Sequence, residues 1–87
     1  MLDAMNTQYK IQIASDIVRD GLGAELLDED RNVIAEVFRC DRNNTITVST
    51  FSNAIPVSAM HFFLKTAAER LGNFEDGTPI NIDASGG

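Results

Sequence analysis

Hydrophobic and polar residues along this chain follow two rhythms. Up to about residue 51 the apolar residues fall in short runs that largely repeat every second position; from Val57 they recur at helical spacing. The stretch from Gly21 to Phe51 organises the rest. Leu22–Leu27, Val33–Cys40 and Thr45–Phe51 read as three strands, separated by the polar clusters at 28–32 (DEDRN) and 41–44 (DRNN). Asp and Asn in such clusters hydrogen-bond their own backbone or accept left-handed geometry, so each cluster predicts a tight turn.

Upstream, residues 9–13 (YKIQI) alternate apolar with polar, the mark of a further half-buried strand. Ala14 to Asp20 fits either an extension of that strand through Ile17 and Val18 or a loop solvated by Asp16, Arg19 and Asp20. Asp20-Gly21 is a turn signal, and Gly23 weakens any helix here. Downstream, Asn53 to Pro56 closes the sheet region and a helix is predicted over Val57–Leu71. Val57, Met60, Leu64, Ala67 and Leu71 form its apolar stripe, widened by Phe63 and Ala68, and Gly72 terminates it. Phe74 is expected to fold back on the helix. Residues 1–8 and about 80–87 are expected to be disordered. The expectation is therefore one α+β domain over residues 1–87. Its antiparallel sheet has three to four strands in a meander, covered on one face by a single C-terminal helix.

The second strand breaks the alternation. In residues 33–38 (VIAEVF) both faces are apolar, with Glu36 set between Ile34 and Phe38. If Val37 lies beside both Ala24 and Val48, then Leu22, Ala24, Leu26, Val33 and Ala35 turn to the helix with them. Glu25, Leu27, Ile34, Glu36, Phe38, Cys40 and Phe51 fall on the reverse face. A two-layer protein leaves that face mostly polar. Here large apolar side chains surround two carboxylates, so a partner, a second copy or the chain's own termini must cover them.

Composition narrows function by exclusion. Thirteen acidic against seven basic residues give a net charge of −6 and a pI near 4.4, which argues against nucleic acid and against an anionic membrane surface. No apolar run approaches the roughly 20 residues of a membrane span. The N-terminal residues lack the basic and apolar regions of a secretory signal, and the single Cys40 suits a reducing compartment. The expected location is cytoplasmic.

No catalytic, metal or nucleotide motif stands out, and no cofactor is expected. Cys40 lies between Arg39 and Asp41 with Arg42 beyond, but its only possible imidazole partner, His61, belongs to the helix. His61 has no second histidine to share a metal with. Asp28, Asp30 and Asn32 mimic the start of a calcium loop. Val33 stands where that loop needs Gly, and Arg39 where it needs the bidentate Glu. Asn43-Asn44-Thr45 matches a glycosylation acceptor, yet a turn explains the Asn pair. Gly21-Leu22-Gly23 lacks the third glycine of a dinucleotide fingerprint.

The combination of residues 19–23 (RDGLG), 33–39 (VIAEVFR), Thr50-Phe51, Ile55-Pro56 and 74–79 (FEDGTP) resembles a group of short bacterial proteins of unassigned function. The resemblance covers about residues 9–79. It implies a small bacterial cytosolic domain, and no activity or functional residue comes with it. The residues themselves point to a non-catalytic protein-binding or self-association module, bound to a protein partner or as a homodimer. Its expected contact face holds Leu27, Ile34, Glu36, Phe38 and Phe51. The competing expectation is a small enzyme that uses Glu25 and Glu36 as a carboxylate pair at a dimer interface, one acid protonated and the other not.

Overall fold

The turns set the architecture. The computed structural model describes residues 8–82; the expected disorder of residues 1–7 and 83–87 lies outside the described residues. Four strands, β1 (Lys10–Asp16), β2 (Gly21–Leu27), β3 (Val33–Cys40) and β4 (Thr45–Thr50), pair antiparallel in chain order, followed by helix α1 (Val57–Leu71). The fold is the α+β meander with a C-terminal helix, and of the segment expected at Tyr9–Ile13 all but Tyr9 belongs to β1, which continues to Asp16. Each turn contains a residue with positive φ: Asp20 at 58°, Arg31 at 68° and Asn44 at 53°. Asp and Asn tolerate that region well. Arg31 reaches it inside a turn built by Asp28, whose Oδ1 accepts the N–H groups of Asp30 and Asn32, both at 2.9 Å.

Register follows from burying one face. Val37 stands between Ala24 on β2 and Val48 on β4, as the alternation predicts. A register shift at Leu26/Leu27 places Val33 opposite Leu27. Ile34, expected on the reverse face, packs instead against the core cluster. A bulge of this kind adds a residue to one strand and locally breaks the period of two.

The helix begins with Pro56, whose φ of −54° its ring imposes, and whose carbonyl accepts the Met60 N–H at 3.0 Å. It ends at Gly72 with a φ of 68°. The buried positions are Ala59, Phe63, Ala67 and Leu71. The stripe is thus rotated from the one expected: Val57 is 85% exposed, and Met60 and Leu64 flank the core without closing it. Two alanines at the centre let the helix approach the sheet closely while Phe63 fills the space between them. Among the described residues, no helix is long and apolar enough to cross a membrane.

The helix lies over β1, β2 and β3. Strands spaced about 4.8 Å apart make a four-stranded sheet wider than a helix of about 10 Å, so β4 protrudes beyond it. Ile80 and Ile82, in a segment expected to be disordered, pack against the core on its flank. A shallow groove of about 170 Å³ remains between β4 and the helix, bordered by Ile46, Val48, Leu64, Asn81 and Ile82.

Truncating the central ring tests this register. Phe63→Ala is expected to lower unfolding stability by about 3–5 kcal/mol, the range for a buried aromatic. Val57→Ala should stay within about 0.5 kcal/mol. Equilibrium denaturation of both variants measures the contrast.

Candidate functional site

The reverse face is sealed by the β1–β2 turn. Arg19 folds over it, with the guanidinium carbon 3.9 Å from the centroid of the Phe38 ring. Its Nη1 and Nη2 donate to Glu36 Oε1 and Oε2 at 3.1 and 2.8 Å. The Arg19 Nε donates to Asp16 Oδ2 at 2.6 Å, and its backbone N–H to Asp16 Oδ1 at 3.0 Å. Delocalised, planar charge suits this combination of a bidentate carboxylate and an aromatic face. The two carboxylates hold Arg19 even further above its ordinary pKa, the Glu36 hydrogen bonds contributing most. Cys40 Sγ donates to the Arg19 carbonyl at 3.4 Å, and Arg42 Nη2 to the Val18 carbonyl at 3.1 Å. The turn is thereby tied to β3 and to the β3–β4 turn.

Glycines beneath this cover leave it room. A Cβ on Gly21 would meet the Arg39 carbonyl oxygen, and Phe38 Cζ at 2.8 Å; one on Gly23 would meet Glu36 Oε2 at 2.7 Å. The Gly21-Leu22-Gly23 pair therefore gives Phe38 and Glu36 a floor to lie on.

The five residues expected to form one contact face are thus divided. Phe38 is 5% and Glu36 9% exposed, so both are covered from within by Arg19, a residue of a turn and not of either terminus. Leu27 and Ile34 are half-buried. Phe51 alone stands well out, 62% exposed. Ile17 and Val18 are exposed at the tip of the sealing turn.

Glu25 and Glu36 do face one another across β2 and β3. Each already has a partner: Gln12 Nε2 donates to Glu25 Oε1 at 2.6 Å, and Arg19 forks onto Glu36. Cys40 and His61 lie on opposite sides of the sheet, since α1 packs on the face to which Arg39, the neighbour of Cys40, points. Asp28 spends its carboxylate on its own turn, which holds its pKa below the usual range, chiefly through the Asn32 N–H. Among the described residues no group of three or more His, Cys, Asp or Glu could hold a metal ion.

On the helix side a second arginine clamps the end of the fold. Arg39 Nη1 donates to the carbonyls of Leu71 and, at 2.7 Å, Asn73, and Nη2 to Asp41 Oδ2 at 3.0 Å. Asp41 Oδ1 accepts the Glu75 N–H at 3.0 Å, and Asn44 Nδ2 donates to Asp76 Oδ2 at 2.9 Å. These bonds fix the segment after the helix to the β3–β4 turn, and Phe74 is buried there. A cleft of about 310 Å³ opens beside this clamp, lined among others by Asp16, Asp20, Arg39, Asp41 and Glu75. Two of its four acids, Asp16 and Asp41, are already engaged by arginines.

Among the described residues, no strand pairs with the outer edge of β4. Its residues are exposed apart from half-buried Ile46, with Val48 at 54% and Phe51 beyond its end at 62%. Sequence reasoning passed over this edge. The signal was present in the run without Asp, Glu, Lys or Arg between Arg42 and Lys65. Comparison with known proteins adds no guide: no family model, no curated protein and no solved structure matches the chain.

Arg19→Ala is expected to destabilise the domain by about 1–2 kcal/mol. It strands the Glu36 carboxylate and uncovers Phe38, while half of the arginine is in solvent already. Chemical denaturation reads the loss, and Arg19→Lys should restore only part of it because lysine cannot fork. Acid sensitivity follows from three carboxylates held below their usual pKa by donated hydrogen bonds. The leading donors are the Arg19 N–H for Asp16, the Asn32 N–H for Asp28 and the Thr78 N–H for Asp76. Depressed folded values mean that their stabilisation is full above the unfolded pKa of about 3.9 and is lost as pH falls through the folded values. Thermal melts between neutral pH and pH 2 should show Tm dropping below about pH 4. The triple variant Asp16→Asn, Asp28→Asn, Asp76→Asn should flatten that drop.

Proposed function

We propose that this chain is a small non-catalytic protein-binding or self-association module whose contact surface is the outer edge of β4 with Phe51 beside it. The observation that carries the reading is the division of exposure: Glu36 and Phe38 are capped by Arg19, while Val48, on an edge that no described strand pairs, and Phe51 just beyond it stand 54% and 62% exposed. An unpaired edge offers a row of N–H and C=O groups that an extended segment can complete, with alternate side chains adding specificity. Proteins that avoid such pairing place charges, proline or bulges on the edge; Thr45–Thr50 has no charge and no proline. A bacterial cytosolic setting accords with the sequence resemblance and with one unpaired cysteine.

The enzyme reading draws on the direct cross-strand placement of Glu25 and Glu36. Binding is favoured over it because each acid is already held by a neighbour, Gln12 for Glu25 and Arg19 for Glu36.

NMR titration with uncharged extended peptides tests the proposal. Shifts are expected at the Ile46, Val48 and Thr50 amides and at Phe51. Phe51→Ala should weaken binding about tenfold, as loss of an aromatic anchor does, with stability changed by less than about 0.5 kcal/mol. Shifts centred on Glu25 and Glu36, or none at all in a chain that is monomeric at the titration concentration, would overturn it.

A further inference from the structure

We infer that the occupant of the β4 edge is a second copy of this chain, paired antiparallel about a two-fold axis at Val48 so that two sheets become one. The inference rests on the edge-binding reading and names its partner.

Hydrogen-bond direction is the first support. The Phe51 N–H donates to the Ile34 carbonyl at 2.8 Å, inward toward β3. In an antiparallel ladder alternate residues turn both backbone groups the same way. Thr45, Thr47 and Ser49 therefore direct theirs to β3, and Ile46, Val48 and Thr50 direct theirs outward. This outward set is self-complementary about its middle member. Val48 meets Val48 of the second copy, and Ile46 meets Thr50, each pair exchanging N–H···O=C bonds. The same register sets Thr47 opposite Ser49 on the reverse face. β-Branched and small side chains thus meet their own kind on both sides.

Charge is the second support. Each copy carries −6, so encounters through most of the surface are repulsive. The run between Arg42 and Lys65, which includes β4 and the start of α1, has no Asp, Glu, Lys or Arg. A basic partner would find no carboxylate in this run. An uncharged strand meets no penalty, and β4 is itself such a strand. The groove of about 170 Å³ along Ile46, Val48 and Leu64 supplies an apolar border for the Ile46 and Val48 that the second copy brings.

Sedimentation over a range of protein concentrations, paired with amide exchange, tests the inference on the full chain. A reversible dimer is expected. Val48→Lys should make it monomeric, because two ammonium groups would meet on the axis, and should leave circular dichroism unchanged, with thermal unfolding matching the parent's at concentrations where the parent is monomeric, because Val48 is half-exposed. Exchange at Ile46, Val48 and Thr50 should be at least about tenfold slower in the dimer than in this variant, with Thr47 and Ser49 little altered. A monomer at every concentration would overturn the inference, as would a dimer that persists in Val48→Lys. A monomer whose β4 amides shift with an unrelated uncharged peptide would overturn the second copy alone and leave edge binding intact. A monomer with slow outward amides at every concentration would mean that the chain covers its own edge, and both readings would fall.

Discussion

One guanidinium caps the buried centre of the sheet's reverse face. A four-stranded sheet with a helix on one side needs either a polar reverse face or something to cover it. Among the described residues there is neither a second helix there nor a plain polar strand. Arg19 comes down from the β1–β2 turn instead, stacks on Phe38 and forks onto Glu36. The three side chains make sense only together. Phe38 gives the arginine an apolar bed, Glu36 neutralises it, and Asp16 holds its stem from the other side. Removing any one leaves an uncovered ring or a poorly solvated charge. The rest of the reverse-face design follows from this cap, including the two β2 glycines that make space beneath it.

A second arginine repeats the device on the other face, with a different outcome. Arg39 occupies a helix-facing position where a hydrophobic residue would be ordinary, and it reaches the carbonyls left free at the C-terminus of α1. Those carbonyls carry the negative end of the helix dipole and lack intrahelical donors. Satisfying them from β3, with Asp41 as counter-charge, locks helix, sheet and the following turn into one unit. The two arginines therefore divide the work: one closes a face, the other anchors an element. Both guanidinium groups are paired with carboxylates, and exposed Val48 and Phe51 stand at the margin of the sheet.

The sequence carried the architecture more clearly than the surface. The limits of β2 to β4, the turns between them and the helix span came from periods and turn chemistry, which are local, and the loop lengths permitted the pairing of Val37 with Ala24 and Val48. The failed alternation of Val33–Phe38 was also legible, as a demand that something cover Phe38. The identity of the cover was not. Arg19 lies in a stretch whose pattern fitted either strand or loop, and nothing local says that a turn arginine will bend back over a strand two places along in the sheet. The rotated helix stripe has a similar origin. Ala59 and Phe63 outrank Val57 and Leu64 because the helix sits over β1–β3, a tertiary fact that the periodicity of one helix cannot encode. The bulge at Leu26/Leu27, which moved Ile34, is likewise a property of two strands together.

Asymmetry between the two sheet edges is the last element to account for. At β1, Lys10 begins the strand and Asp16 ends it, bound to Arg19, so charge sits at both limits of that edge. At β4 there is none, even though the chain has a large excess of acids to spend elsewhere. Placing a single lysine or glutamate on β4 would have cost little, since its residues are exposed and surface substitutions there are nearly neutral. An uncharged, regular edge invites pairing with other chains and is a hazard in a protein that must stay alone. The net charge of −6 limits that hazard, because repulsion between copies opposes every approach and is weakest where the uncharged margins meet. On the proposal that β4 pairs with a second copy, acidity over most of the surface and neutrality along β4 are complementary: the first disfavours other encounters, and the second leaves a margin along which backbone hydrogen bonds can form.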